Sequence, residues 1–360
     1  MKSTFFQNIW WFIGTFLAVN AFAQTDSVRA VTFGGYAEAY WGYDFSDPAN
    51  NTRPAFLYSH HRHNEFTVNL AYLKANYSSN GARANVALMA GTYASANLSA
   101  EPDVLKNIFE ANVGIRLSKK RQIWLDGGIL PSHIGFESAV GRDCRTLTRS
   151  LIAENSPYYE SGARLSYTTQ NGKWYAALLG LNGWQQIARP NGRSQIGGGW
   201  QLTFKPTQKV TLNSSSYFGP KPGTTEDNRF FHNFYSILQL TDRFDFTLGF
   251  DAGKDRPAAP RSADANWYGV SAIAHYAVTQ RLGLSARYER YDDPDGAVIA
   301  GDVPFRVNGF SMNLDITATS NALFRTEYRF LQNEQNLFRD RKGKLTPNNS
   351  AIAVAMAVSF

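Results

Sequence analysis

The chain has 360 residues, a formal net charge of +7, 14% aromatic residues, 29 Gly and a single Cys. Its Lys and Arg are scattered among acids, which leaves no nucleic-acid footprint, and a mean hydropathy below zero excludes a bundle of membrane helices. Cys144 has no partner for an internal disulfide, whereas the aromatic and Gly content suits sheets joined by tight turns.

The N-terminal stretch carries Lys2, an apolar run over 9–19 and Ala21-Phe22-Ala23 before Gln24. That order predicts a secretory signal peptide over 1–23, cleaved after Ala23, because the run is short of the ~20 residues a membrane helix needs. Strand side chains alternate with period two, and this period recurs from Val31 onward. Over 31–43, Val31, Phe33, Ala37, Ala39, Trp41 and Tyr43 share one face, and Thr32, Glu38 and Tyr40 the other. A polar loop over 44–63 leads to a second strand over 65–77. There Phe66, Val68, Leu70 and Tyr72 are expected outside, and Glu65, Thr67, Asn69 and Ala71 inside. Asn80-Gly81 then makes a tight turn, since Asn-Gly accepts positive φ. In the next three strands Val86 and Leu88, then Phe109, Val113 and Ile115, then Ile123, Leu125 and Ile129 are expected outside, with Glu110, Arg116 and Asp126 inside. The longest irregular segment, 131–157, follows the fifth strand.

The sixth strand sets Ala163, Leu165 and Tyr167 against Arg164 and Ser166, and ends at the Asn171-Gly172 turn. A seventh over 174–184 is apolar on both faces, so its register stays open. Trp200, Leu202 and Phe204 oppose Gln201, Thr203 and Lys205 in the eighth; Leu212 opposes Asn213 in the ninth; Phe234 and Leu238 oppose Asn233 and Gln239 in the tenth. Phe246, Leu248 and Phe250 oppose Asp245 and Asp251 in the eleventh, Val270, Ala272 and Ala274 mark the twelfth, and Leu284 and Tyr288 oppose Arg287 and Glu289 in the thirteenth. Met312 and Leu314 oppose Asn313 and Asp315; Phe324, Tyr328 and Phe330 oppose Arg325, Glu327 and Arg329. The last strand, 351–360, puts Ile352, Val354, Met356, Val358 and Phe360 on one face and only Ala351, Ala353, Ala355, Ala357 and Ser359 on the other. These small inward residues are expected to leave room in the interior.

About sixteen strands of roughly ten residues, joined alternately by short turns and long loops, predict an all-β, transmembrane antiparallel up-and-down barrel. A soluble sandwich fits less well, because globular strands average ~5–6 residues. In hydrocarbon every backbone N–H and C=O must be paired, so the sheet has to close. Arg325 or Arg329 facing lipid would cost roughly 2–4 kcal/mol each, so the charges face inward and the apolar faces meet outer-membrane lipid and lipopolysaccharide. A barrel this wide leaves a water-filled lumen. The terminal Phe360 resembles the signal read by the barrel-assembly machinery.

Three stretches, Arg62-His63-Asn64-Glu65-Phe66-Thr67-Val68-Asn69, 124–138 and 156–162, resemble the OmpL-like beta-barrel porin-2 family of Gram-negative bacteria. The resemblance spans the mature chain, 24–360, as one domain. It implies an outer-membrane porin for ions and small hydrophilic solutes, and carries over no catalytic residue, cofactor or metal. Segment 131–157 contains Glu137, Arg142, Asp143, Arg145, Arg149 and Glu154 and stands where general porins fold their third external loop into the lumen. It is expected to narrow the pore, because long ordered loops are usually functional and facing charges set ion preference. The wall offers Glu38, Glu110, Asp126, Glu160, Asp245, Asp251, Glu289, Asp315 and Glu327 with Arg116, Arg164, Lys205, Arg287, Arg325 and Arg329, a mixture that leaves the selectivity open. Many of these charges can pair across adjacent strands.

His60, His61 and His63 have the donor chemistry for zinc, copper or nickel, but on an exposed loop they are expected to be solvated. An enzyme barrel would need a nucleophile, a base and an orienter within reach. Ser132 and His133 are the one candidate pair, and adjacency in an extended segment points them to opposite sides. A structural or adhesive barrel is the alternative class. A homo-oligomer is compatible with the sequence; no nucleic-acid partner, cofactor or metal is expected.

Overall fold

Strands whose faces alternate between lipid and interior exchange backbone bonds with both neighbours until no edge is left. The structure is a computed structural model that describes residues 31–223, 227–256 and 263–360; the expected signal peptide lies outside them. The first eight strands are β1 (Val31–Asp44), β2 (Phe66–Ser78), β3 (Ala82–Ala90), β4 (Ile108–Arg116), β5 (Gln122–Pro131), β6 (Tyr159–Thr168), β7 (Trp174–Leu181) and β8 (Gly197–Thr207). Then come β9 (Val210–Pro220), β10 (Asn228–Gln239), β11 (Phe244–Arg256), β12 (Ala265–Ala277), β13 (Leu282–Asp293), β14 (Phe305–Thr319) and β15 (Ala322–Asn333). A separate hairpin of β16 (Phe338–Arg339) and β17 (Leu345–Thr346) precedes β18 (Asn348–Ser359), which pairs with both β15 and β1 and closes a sixteen-stranded antiparallel barrel. One rim carries turns of two to five residues and the other loops of seven to 27. Among the described residues, no helix is long and apolar enough to cross a membrane.

The outer surface is an apolar belt: Phe33, Phe66, Leu88, Val113, Leu178, Phe218, Met312 and Met356 are all exposed there. At the seam, Gly35 N donates to Phe360 O at 2.8 Å and Phe360 N donates to Gly35 O at 3.0 Å, so the last residue completes the ladder.

Four local expectations change. In β2, Glu38 pairs with Leu70 but Ala39 with Val68, which makes Asn69 an extra, bulged residue. A bulge reverses strand parity beyond it, so Leu70 is buried inside, Tyr72 stacks on the inward Tyr36, and Leu73 takes the exposed outer position. Phe109, expected outside, stacks at 5.1 Å on Tyr72 beside a second register shift at Ala87/Leu88. Ile129 is buried in the same cluster as Tyr93 and Leu98. The open register of β7 resolves with Trp174 and Leu178 exposed and Ala177, Leu179 and Leu181 buried; the strand stops at Leu181, and Trp184 joins an interior aromatic cluster.

Candidate functional site

A segment without strand partners must satisfy its backbone polar groups elsewhere. The 27 residues between β5 and β6 do so on inward-facing side chains of the wall. Arg325 donates to the carbonyls of Gly141 at 2.6 Å and Cys144 at 2.9 Å while paired with Asp315 at 2.8 Å. Arg287 donates to the Thr146 hydroxyl and the Thr148 carbonyl, both at 2.6 Å, and to Glu327 at 3.0 Å. Glu327 accepts from Thr148 N and Oγ1, each at 2.6 Å, and Glu289 accepts from Leu151 N at 2.6 Å while paired with Arg329 at 2.7 Å. Toward β10–β12, Asn233 Oδ1 accepts from Gly135 N at 3.3 Å and Phe136 lies edge-on to Tyr235 at 5.8 Å. Glycine leaves room there: a Cβ at Gly249 would press on Phe136 and Ile152, and one at Gly269 on Ile152 and Tyr291, so these side chains would have to shift. The loop therefore touches a continuous arc of wall that includes every strand from β10 to β15.

The inward alanines of β18 are filled rather than open. Ala353 and Ala355 form a buried cluster with Tyr40 and the loop residue Leu147. Small side chains leave room, and a neighbouring chain segment occupies it because close packing forbids a dry void.

Of the charges expected at a constriction, most serve the loop itself. Arg149 is 0% exposed and donates to the carbonyls of Ser138 and Leu147 at 2.6 Å and of Ala139 at 3.2 Å. Glu137 accepts from Ser150 N at 3.0 Å. Glu154 accepts from Tyr58 N at 2.9 Å and Ser59 N at 3.2 Å, tying two loops together, and burial pushes its carboxyl up to about 7. Arg142 reaches the Ser359 hydroxyl and the Ser320 carbonyl. Asp143 and Arg145 keep real exposure, Arg145 pairing with Asp245 at 2.8 Å. A buried loop carries more carbonyls than it has backbone partners, so it recruits its own cations.

The wall charges face inward, yet Glu38, Arg287, Glu289, Arg325, Glu327 and Arg329 are shut off from water by these contacts. Asp251 is likewise buried, accepting from Asn233 Nδ2 at 2.6 Å. Around β2–β6 the pairs are wetter: Lys74 with Glu110, and Arg83 at 2.5 Å and Arg164 at 3.3 Å sharing Asp126. Lys74 and Arg83 were not among the expected wall residues. The bulge at Asn69 hides the first, whereas the outward Ala84, Val86 and Leu88 already assign Arg83 to the interior. Arg116 and Lys205 lie toward the short-turn rim, and Lys205 is exposed.

His60 and His63 are buried, not solvated, because the 45–65 loop folds back onto the barrel. His60 Nε2 lies 2.8 Å from Glu38, and burial pushes its imidazole down; His63 Nδ1 accepts from Asp44 N at 3.0 Å and Nε2 lies 3.2 Å from Asp47. His61 is half-buried, with Nδ1 against the Tyr58 carbonyl at 2.9 Å. Among the described residues, no group of three or more His, Cys, Asp or Glu could hold a metal ion. Ser132 and His133 do not diverge: both meet Glu160, at 3.4 and 2.8 Å, and His133 Nε2 lies 2.8 Å from the Ser216 carbonyl. Burial works against a proton on His133, but the Glu160 carboxylate outweighs it and its pKa is raised.

Two cavities open from the ends. One of about 830 Å3 lies among the long loops, lined by residues including Tyr58, Glu101, Trp184 and Arg229. The other, about 340 Å3, lies at the short-turn end between Arg145, Lys209, Arg243, Asp245 and His275.

Residues 30–360 match the OmpL-like beta-barrel porin-2 family. The chain belongs to that family. This porin is accordingly a channel of the outer membrane through which solutes diffuse. Similar solved structures include the outer membrane channel DcaP of Acinetobacter baumannii, with a TM-score of 0.61 at 10% identity over 92% of this chain and 97% of that one. OmpT of Vibrio cholerae gives 0.59 at 9% identity over 94% and 100% of the two chains. An anion-selective porin from Comamonas acidovorans gives 0.58 at 11% over 92% and 99%. At such identities the likeness is one of fold. No curated protein matches the chain in sequence.

Proposed function

We propose that this porin passes ions and small hydrophilic solutes passively, and that the loop between β5 and β6 sets the aperture. The observation that carries this reading is the use of Arg287 and Arg325, two wall cations, as donors to loop carbonyls. Such anchors hold a loop across a lumen rather than above it, and charge-assisted bonds of ~1.5–3 kcal/mol each resist its displacement. Swelling of liposomes in uncharged sugars of graded size tests the role. Deletion of 139–150 should admit larger sugars than the full-length protein does, and an unchanged size limit contradicts the assignment.

Catalysis has no place in this reading. Both ring nitrogens of His133 are engaged, by Glu160 and by a backbone carbonyl, so the imidazole is not free to activate Ser132. Lipid or peptide turnover lost in His133→Gln would reverse that view. A homo-oligomer gains support from OmpT of Vibrio cholerae, one structure of which is described as a trimer form; cross-linking in the membrane tests it. Recognition of Phe360 by the assembly machinery, and contact of the belt with lipid and lipopolysaccharide, belong to the same proposal.

A further inference from the structure

We infer that the water-filled parts of the interior favour anions, so that the solutes this porin takes best are small molecules bearing carboxylate or phosphate groups. The inference deepens the diffusion reading and rests on it. Its basis is that burial sorts the charges by sign on one stretch of the wall, β2–β6. Around β2–β6 the acids are withdrawn and the bases protrude: the Asp126 side chain is 1% exposed, against 31% for Arg83 and 22% for Arg164, and Glu110 is 5% exposed against 30% for Lys74. Two guanidiniums share the one Asp126 carboxylate, which leaves a surplus positive charge on the wet side.

The cavity at the short-turn end repeats this excess. At the short-turn end Arg145, Lys209 and Arg243 face Asp242 and Asp245. Among the long loops the count is even, with Arg189, Lys221 and Arg229 against Glu101, Glu154 and Asp255, so that cavity adds no bias. Lys221 and Arg229 share Asp255, at 3.0 and 2.8 Å. Glu101 is already engaged by donors, accepting from Tyr159 Oη at 3.0 Å, Ile187 N at 2.7 Å and Ala188 N at 3.0 Å. Asp143 on the loop, and Asp295 and Asp302 in a smaller cavity of the loop between β13 and β14, are exposed acids that oppose the trend. The β13–β15 wall adds little field of either sign to the water, because its Arg287, Glu289, Arg325 and Glu327 pair with one another, with Asp315 or with the loop. An excess of one sign between low-dielectric walls focuses the potential seen by a passing ion.

Reversal potential across planar bilayers in a potassium chloride gradient reads this directly. The wild type should be more permeable to chloride than to potassium. Arg145→Gln with Arg243→Gln, both on the water-exposed inner cavity, should move the ratio toward unity, and Asp245→Asn should move it the other way. Each unit charge about 4 Å from the ion path shifts chloride and potassium about fivefold in opposite senses, so the ratio changes by up to about thirtyfold. A conducting channel that prefers potassium, or one whose ratio ignores all three changes, overturns the inference and leaves the diffusion reading intact. No conductance at all overturns both.

Discussion

Replacing Glu327 by Ala tests whether the wall holds the loop. Glu327 is buried and makes two bonds to the loop, from Thr148 N and Oγ1 at 2.6 Å, besides pairing with Arg287 at 3.0 Å. Each loop bond to a carboxylate contributes ~1.5–3 kcal/mol, so residues near Thr148 lose about 3–6 kcal/mol of anchoring. Removing one partner of a buried pair costs a further ~3–5 kcal/mol; Glu289, 3.5 Å from Arg287, offsets part of that. At ~1.4 kcal/mol per decade, the anchoring loss alone raises local opening by roughly a hundredfold or more. Arg325 and Glu289 still hold both flanks of the segment, at Gly141, Cys144 and Leu151, so the barrel keeps its fold. The assay is trypsin cleavage after Arg149, which is 0% exposed in the closed loop. Cleavage should quicken strongly in Glu327→Ala while heat resistance of the barrel is kept. Equal cleavage rates in the two proteins would refute the anchoring argument.

Overpacking offers a second route. Gly249→Val places a side chain where Phe136 and Ile152 lie, should cost about 1–3 kcal/mol, and should raise conductance by lifting the loop; an unaltered channel counts against the contact. A third prediction concerns pH. The Glu154 carboxyl is raised to about 7 from the ordinary glutamate range, so the folded state binds its proton more tightly; the stability it confers is full near pH 4.5 and is lost as pH rises through about 7. Hydrogen exchange at the Tyr58 and Ser59 amides, corrected for intrinsic rates, should show protection falling across that window and levelling in Glu154→Gln. Fourth, His133→Ala leaves Glu160 buried without its partner, a loss of ~3–5 kcal/mol, and should lower the yield of folded barrel; an unchanged yield would show that the pair is not structural.

Strand existence and the in/out sense of most faces were legible because period two and the cost of a charge in lipid act residue by residue. Arg325, Glu327 and Arg329 point where alternation places them. What they meet was not legible, since alternation says nothing about a segment arriving from 180 residues away, and the wall cations prove to be loop donors. The run of alanines in β18 did carry a trace of it, for a strip of small residues inside a wide barrel is room for something to pack. The bulge at Asn69 left no Gly or Pro to mark it; its cause is tertiary, as Asn69 Nδ2 donates to Glu38 at 2.9 Å and Oδ1 accepts from His60 N at 3.0 Å. The burial of His60 and His63 has the same cause, because their loop is polar in sequence but packed in space.

Single-channel recording in planar bilayers tests the central claim most directly. Folded protein should give discrete conductance steps, and deletion of 139–150 should enlarge them. A baseline without steps from correctly folded barrel would contradict a diffusion channel, and equal steps from the two proteins would contradict the loop as its aperture.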